Sequence, residues 1–190
     1  TIISYGLTFA WIIGVINAFN LIDGLDGLCG SLSFTTTVTL GILFYLSGNS
    51  EYIICFILAA SILGFLIFNW PPAKLFMGDS GSQFLGFMIA VIPLFTSNNV
   101  FEHNKLLIII TLAAFPIFDT IAAIWRRIRD KRPIMSPDKS HLHHKLLNFG
   151  YTKTSVLYLV VLIQCLLCCI VILSYFLGAL KGAMVLLLSL

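Results

Sequence analysis

Six stretches of this chain are close to the length and apolarity that a bilayer-crossing helix requires, and five of them carry no charged side chain at all. They are residues 2–20, 30–47, 52–69, 82–97, 105–125 and 154–177, and a seventh, truncated run occupies 183–190. A helix needs about 20 apolar residues to cross hydrocarbon, within a range of about 17–25. The 82–97 stretch is at the short end, so it is expected to start earlier or tilt less. Lipid offers backbone groups no hydrogen bonds, so such runs must be helical. The composition agrees: 59% of residues are hydrophobic, 10% are charged and mean hydropathy is +1.01. Soluble domains carry about 25% charged residues. A 190-residue core cannot hide this much apolar surface, so the bilayer is the solvent. The expected fold is an all-α polytopic integral membrane protein, a bundle of about six transmembrane helices forming one domain over 1–190. No secretory signal followed by a polar mature domain is present. The chain begins at Thr1 and ends in an apolar run; it reads as the C-terminal portion of a longer protein.

Charge is distributed unevenly. Eight of the eleven Lys and Arg residues lie between Arg126 and Lys153. That is too local for general nucleic-acid binding, and no aromatic-basic reading surface accompanies it. By the positive-inside rule this loop is cytoplasmic. Counting back through the spans puts 98–104 outside, 70–81 inside, 48–51 outside and 21–29 inside. Three polar loops, far apart in sequence, therefore face one compartment. Cys165 and Cys168 form a C-x-x-C within an apolar run; there, small packing residues are the better reading than a redox pair.

Each inward loop carries an unusual motif. The first is N-A-F-N-L-I-D-G-L-D-G-L, residues 17–28. Asn17, Asn20 and Asp23 recur at three-residue spacing and so lie near one helix face. Gly24 and Gly27 allow a bend or a close approach to a ligand. Carboxylates such as Asp23 and Asp26 at a membrane edge are costly and usually functional; the competing reading is a solvated helix end. The second motif is K-L-F-M-G-D-S-G-S, residues 74–82. Backbone N–H groups at a helix start favour a phosphate, and Asp79 beside them suits Mg²⁺. The bland alternative is an N-cap by Asp79 or Ser80. The third is S-P-D-K-S-H-L-H-H-K, residues 136–145. His141, His143 and His144 in a cationic loop suit a diphosphate or proton transfer. Zinc competes, but the chain offers no second Cys or His cluster outside lipid.

Asp119, in F-P-I-F-D-T, precedes Arg126 by seven residues, roughly 10 Å from the inner end of its helix at 1.5 Å per residue. Pro116 is placed to kink that helix. Asp119 is either part of the site or structurally paired, and a supporting role is favoured. Together these groups suit a metal-dependent reaction between a soluble phosphorylated donor and a lipid-borne acceptor. A cation-coupled transporter is the rival from another class. It would place its acids near the midplane and often shows repeats, whereas here the polar groups gather at helix ends. A catalytically dead scaffold is a third reading.

The three motifs, in this order, resemble those of the polyprenyl-phosphate N-acetylhexosamine-1-phosphate transferases (glycosyltransferase family 4). The S-P-D-K-S-H-L-H-H form resembles the bacterial branch that transfers N-acetylglucosamine-1-phosphate to undecaprenyl phosphate, opening O-antigen, enterobacterial common antigen or teichoic-acid synthesis. The sister branch, phospho-N-acetylmuramoyl-pentapeptide transferase of peptidoglycan synthesis, usually has three consecutive histidines after a Pro, from which H-L-H-H departs. The resemblance implies a UDP-sugar donor, release of UMP, and Mg²⁺ (or Mn²⁺ in its place). It implies the inner (plasma) membrane of a bacterium, with the site on the cytoplasmic face; a homodimer is compatible with it. It implies that Asp79 binds the metal, with Asn20 approaching metal and diphosphate and Asn17 beside it. Phe76 would stack on uracil, Asp26 would hydrogen-bond it, and Asp23 would organise the donor site. His141, His143, His144 and Arg132 would contact the sugar-phosphate region. The family also has an adjacent Asp-Asp pair in an earlier loop. No such pair occurs here, so it is expected upstream of Thr1, and residues 1–190 alone are expected to be inactive.

Overall fold

The computed structural model describes residues 2–95, 104–131, 133 and 142–190, and of His143, His144 and Phe95 the backbone alone. Among the described residues there is helix and no strand. The helices are α1 (Ile2–Ile22), α2 (Leu28–Leu46), α3 (Tyr52–Asn69), α4 (Gly78–Val91), α5 (Lys105–Leu112), α6 (Ala114–Arg129), α7 (Leu142–Asn148), α8 (Lys153–Leu177) and α9 (Ala179–Ser189). A 3₁₀ turn, Ile92–Phe95, extends α4.

Four helices, α1, α2, α3 and α8, are long and apolar enough to cross a membrane, and α5 with α6 makes a fifth if that bent pair is one span. The protein is an all-α polytopic membrane protein, and among the described residues there are fewer full-length spans than the six expected. The shortfall lies in the 82–97 stretch. Its helix does start earlier, at Gly78, but gives way to the 3₁₀ turn after 14 residues. Helix and turn together still cover about 29 Å, at about 1.5 and 2.0 Å per residue.

Sequence punctuation explains the helix ends. Gly27 (φ 76°) and Gly48 (φ 72°) adopt the left-handed conformation at the α1–α2 and α2–α3 turns, which glycine accepts without a Cβ penalty. The α3 helix ends where Trp70, preceding Pro71, turns extended (ψ 140°), as residues before proline do. Thr152 caps α8 by accepting from the Ser155 N–H at 3.1 Å, satisfying one of the orphan donors of a helix start.

Two helix pairs build the scaffold. In the α2–α3 hairpin, Gly30 faces Leu66 and Gly41 faces the Phe56 ring. The α1–α4 pair is antiparallel: Trp11 Nε1 donates to the Ala90 carbonyl at 3.2 Å, and Asn20, nine residues later on α1, meets Ser82, eight residues earlier on α4. Between these contacts, a Cβ on Gly86 would stand 2.9 Å from the Ile16 Cα. The missing side chain lets two backbones touch, as small residues do at membrane helix crossings.

The span expected at 105–125 is broken. Its two halves, α5 and α6, meet at 75°. The expected cause, Pro116, is present, but the break falls three residues earlier, at Ala113. A proline removes the hydrogen bond to the carbonyl four residues before it, here that of Leu112. That buried carbonyl instead accepts from Gln164 Nε2 at 2.8 Å and Thr36 Oγ1 at 3.2 Å. Gln164, on α8, and Thr36, on α2, are 1% exposed; they tie the break into the bundle's core.

Candidate active site

The loops that parity puts on one side do converge. Gly27 lies against Leu157 near the start of α8, and against Pro71 beyond the end of α3. The turn 48–51 belongs to the other end, where Tyr175 donates to the Leu46 carbonyl. The site is built at the first end, where α1 stops and α4 starts.

Asn20, in the last turn of α1, reaches across to α4. Its Nδ2 donates to Asp79 Oδ1 at 3.2 Å and to Ser82 Oγ at 3.0 Å. Asp79 lies inside the first turn of α4, with Met77 at the capping position and no side-chain cap. Neither Asp79 nor Ser80 is therefore the N-cap that the bland reading supposed. The carboxylate is exposed, sits favourably near the positive end of the helix, and is turned toward Asn20. Asp23 follows directly on α1. Its pKa is pushed up to about 6, first by burial and then by repulsion from Asp79 and Asp26. Three carboxylates thus converge closely enough to feel one another.

Asp26 faces the other loop, where its Oδ2 accepts from the Ala73 N–H at 3.2 Å. Asn69, at the end of α3, donates to the Leu75 carbonyl at 2.8 Å and accepts from the Gly27 N–H at 2.9 Å. These bonds lock the 23–27 turn to the 70–75 segment. Phe76 stands 72% exposed beside them, an open ring available for stacking. Asn17 is not drawn into the cluster: its amide turns back to the Ile13 carbonyl of its own helix at 2.9 Å.

Among the described residues, no three His, Cys, Asp or Glu side chains form a protein-only metal cage. Mg²⁺ does not require one: it is usually held by one or two carboxylates, with water and substrate phosphates completing the shell. Asp79 and Asp23, whose mutual repulsion a cation would relieve, fit that demand, and Asn20 adds an amide oxygen.

The described end of the third motif, from Leu142 onward, is held by α6. Asp119, 8% exposed, accepts from the Leu142 N–H at 2.9 Å, at the start of the helix that carries His143 and His144. Next to it lies a cavity of about 330 Å³ between α6, α7, α8 and the end of α9, walled by Phe115, Phe118, Ile163 and Leu167, with Arg126 and Lys145 on its lining.

The family model described as glycosyl transferase family 4 matches residues 1–97, just over half of the chain. The chain belongs to glycosyl transferase family 4. A probable undecaprenyl-phosphate N-acetylglucosaminyl 1-phosphate transferase of Bacillus subtilis (strain 168) is 46% identical over 157 residues, covering 81% of this chain and 44% of the relative. A decaprenyl-phosphate N-acetylglucosaminephosphotransferase of Mycobacterium leprae is 35% identical, covering 82% and 44%. The undecaprenyl-phosphate alpha-N-acetylglucosaminyl 1-phosphate transferase of Escherichia coli (strain K12) is 33% identical, covering 90% and 48%. The chain spans about half the length of the curated relatives it matches.

In this family 4 chain the geometry adds residues that the motifs did not single out. Ser82, fully buried, shares the Asn20 amide with Asp79; it sits one helical turn after Asp79, which was the available signal. Asn69 was hidden at the end of an apolar span, where its only mark was being polar. His141 and Arg132 lie outside the described residues, as do the side chains of His143 and His144.

Proposed function

We propose that this chain carries the nucleotide-sugar site of a Mg²⁺-dependent transferase. The enzyme moves N-acetylglucosamine-1-phosphate from its UDP-sugar to undecaprenyl phosphate, releasing UMP. A phosphate oxygen of the lipid attacks the sugar-linked phosphorus. The bond from that phosphorus to the oxygen bridging to UMP breaks, and a lipid diphosphate-sugar remains. Such transfer needs positioning and charge neutralisation more than covalent chemistry from the protein. Bound Mg²⁺ supplies charge neutralisation at the diphosphate. Asp79 and Asn20 would hold it, and Asp23 adds negative charge at the same end of the bundle. Phe76 offers its face to the uracil, with Asp26 beside it. The family resemblance assigns contact with the sugar-phosphate to His141, His143, His144 and Arg132.

The observation that carries this reading is the Asn20–Asp79 bond, which unites two separate motifs at the ends of antiparallel helices. A transporter would gather such groups at mid-helix. The basic segment beginning at Arg126 favours the cytoplasmic face of a bacterial plasma membrane. The names of the relatives support the acceptor class.

The test is UMP release from UDP-N-acetylglucosamine and undecaprenyl phosphate, with and without Mg²⁺. The sample is membranes carrying the protein that contains this chain, beside its Asp79→Asn variant. Release that requires Mg²⁺ and disappears in the variant is expected. A correctly inserted protein that releases no UMP from any UDP-sugar overturns the reading.

A further inference from the structure

We infer that Asp119 is a positioning residue that anchors the histidine-bearing helix α7. This deepens the transferase reading and rests on it for its catalytic consequence. Helix α7 has seven residues, fewer than an isolated helix needs to persist in water. Its stability must come from what it touches. Along its body, Leu146 and Leu147 pack against a core cluster that includes Val156, Leu157 and Val160 of α8. Those contacts fix one side of the helix and leave its first turn to be held separately. Asp119 holds it from α6: the carboxylate takes the Leu142 N–H, one of the donors a helix start cannot satisfy internally, and places negative charge at the positive end of the helix.

The sequence makes the consequence specific. Leu142 lies between His141 and His143, so the bond fixes backbone at the centre of the H-L-H-H motif. It also explains a buried acid that the donor and metal residues do not account for. Asp119 holds the Leu142 backbone between the histidines; it need not touch the reacting atoms.

Two substitutions separate anchoring from chemistry. Asp119→Asn keeps an oxygen acceptor of the same reach but loses the carboxylate. Asp119→Leu keeps the bulk and loses the acceptor. Hydrogen-exchange mass spectrometry would follow the peptide covering 142–148, beside UMP release. The Asn variant is expected to keep the protection of that peptide and to stay within roughly threefold of the parent in kcat/KM. The Leu variant is expected to lose protection there and not elsewhere, with a fall of about 100-fold, the usual scale for a misplaced catalytic group. A Leu variant with native protection overturns the proposal. So does an Asn variant as inactive as Leu while α7 stays protected, since the carboxylate then acts in the chemistry. If the Leu variant fails to fold, Asp119→Ala, which also loses the acceptor, takes its place and is judged by the same two readouts. If the parent releases no UMP at all, the transferase reading fails, and protection alone then decides whether Asp119 anchors α7.

Discussion

Gln164 donates to the Leu112 carbonyl at 2.8 Å, standing in for the N–H that Pro116 does not have. The pair lies in the buried core, where an unsatisfied carbonyl costs about 1–3 kcal/mol and bonds between membrane helices average about 0.6 kcal/mol. Gln164→Leu leaves that carbonyl to Thr36 Oγ1 alone, so it is expected to destabilise the detergent-solubilised protein by about 0.5–1.5 kcal/mol, the net worth of one bond. In a Pro116→Ala background the restored N–H can serve Leu112, and the cost should shrink. Unfolding in a double-mutant cycle measures this. Equal costs in both backgrounds would show that Gln164 does not compensate for the proline.

Gly86 sets how closely α1 approaches α4. A Cβ there would meet the Ile16 backbone at 2.9 Å and the Val15 carbonyl at 3.2 Å, and neither can rotate away. Gly86→Ala must push the helices apart, at about 1–3 kcal/mol for overpacking. Gly64 has open space at its Cβ position, so Gly64→Ala is expected to be neutral or slightly stabilising through helix propensity. The displacement at Gly86 lies one turn from the Asn20–Ser82 contact. UMP release should therefore fall in Gly86→Ala and not in Gly64→Ala. Equal activity in the two variants would mean that the crossing does not set the site.

The spans were legible because charge-free runs of this length admit helix and little else. Loop parity was legible because the basic residues cluster between Arg126 and Lys153. Parity predicted that the Asn20 and Asp79 motifs face one side, and the two residues do share a hydrogen bond. What the sequence did not reveal depends on partners distant along the chain. Asn69 reads as the last residue of a span until Gly27 and Leu75 are seen on either side of it. Pro116 announces a lost hydrogen bond, but the break at Ala113 and its 75° angle depend on Gln164 and Thr36 being there to take the freed carbonyl. Asn17 shares the spacing of Asn20 and Asp23, yet it bonds its own helix while Asn20 bonds α4; a three-residue period cannot tell which of its members faces a neighbour.

The Asn20 amide bonds both Asp79 and Ser82, so it orients the carboxylate as well as offering an oxygen. Removing a group that supports a metal ligand typically costs about 10–100-fold in metal affinity. Asn20→Ala is expected to raise the Mg²⁺ concentration for half-maximal UMP release by about that factor. Asn17→Ala, which loses only a bond to its own helix, should leave the Mg²⁺ dependence unchanged. A titration of Mg²⁺ against rate for the two variants distinguishes them. If Asn17→Ala shifts the titration as far as Asn20→Ala, the metal contact does not belong to the Asn20–Asp79 pair.

Asp23 carries the pH dependence that the site predicts. Burial and the neighbouring Asp79 and Asp26 push its pKa up to about 6, against about 3.9 for an aspartate in an unfolded chain. The folded state therefore binds this proton more tightly than the unfolded state. Below about pH 4 both states are protonated and the stabilisation is complete; it is lost as pH rises through about 6, where the buried carboxylate must ionise. Asp23→Asn removes the ionisation. Its unfolding midpoint is expected to exceed the parent's by about 1–3 °C at pH 7.5 and to match it near pH 4. Mg²⁺ bound beside Asp23 would neutralise the same charge, so adding it should raise the parent's midpoint at pH 7.5 and narrow the gap to the variant. At pH 4 Asp23 is already protonated, so the part of the Mg²⁺ effect that depends on its charge should be absent. A gap of the same size at both pH values would mean that packing, and not the charge of Asp23, separates the two proteins.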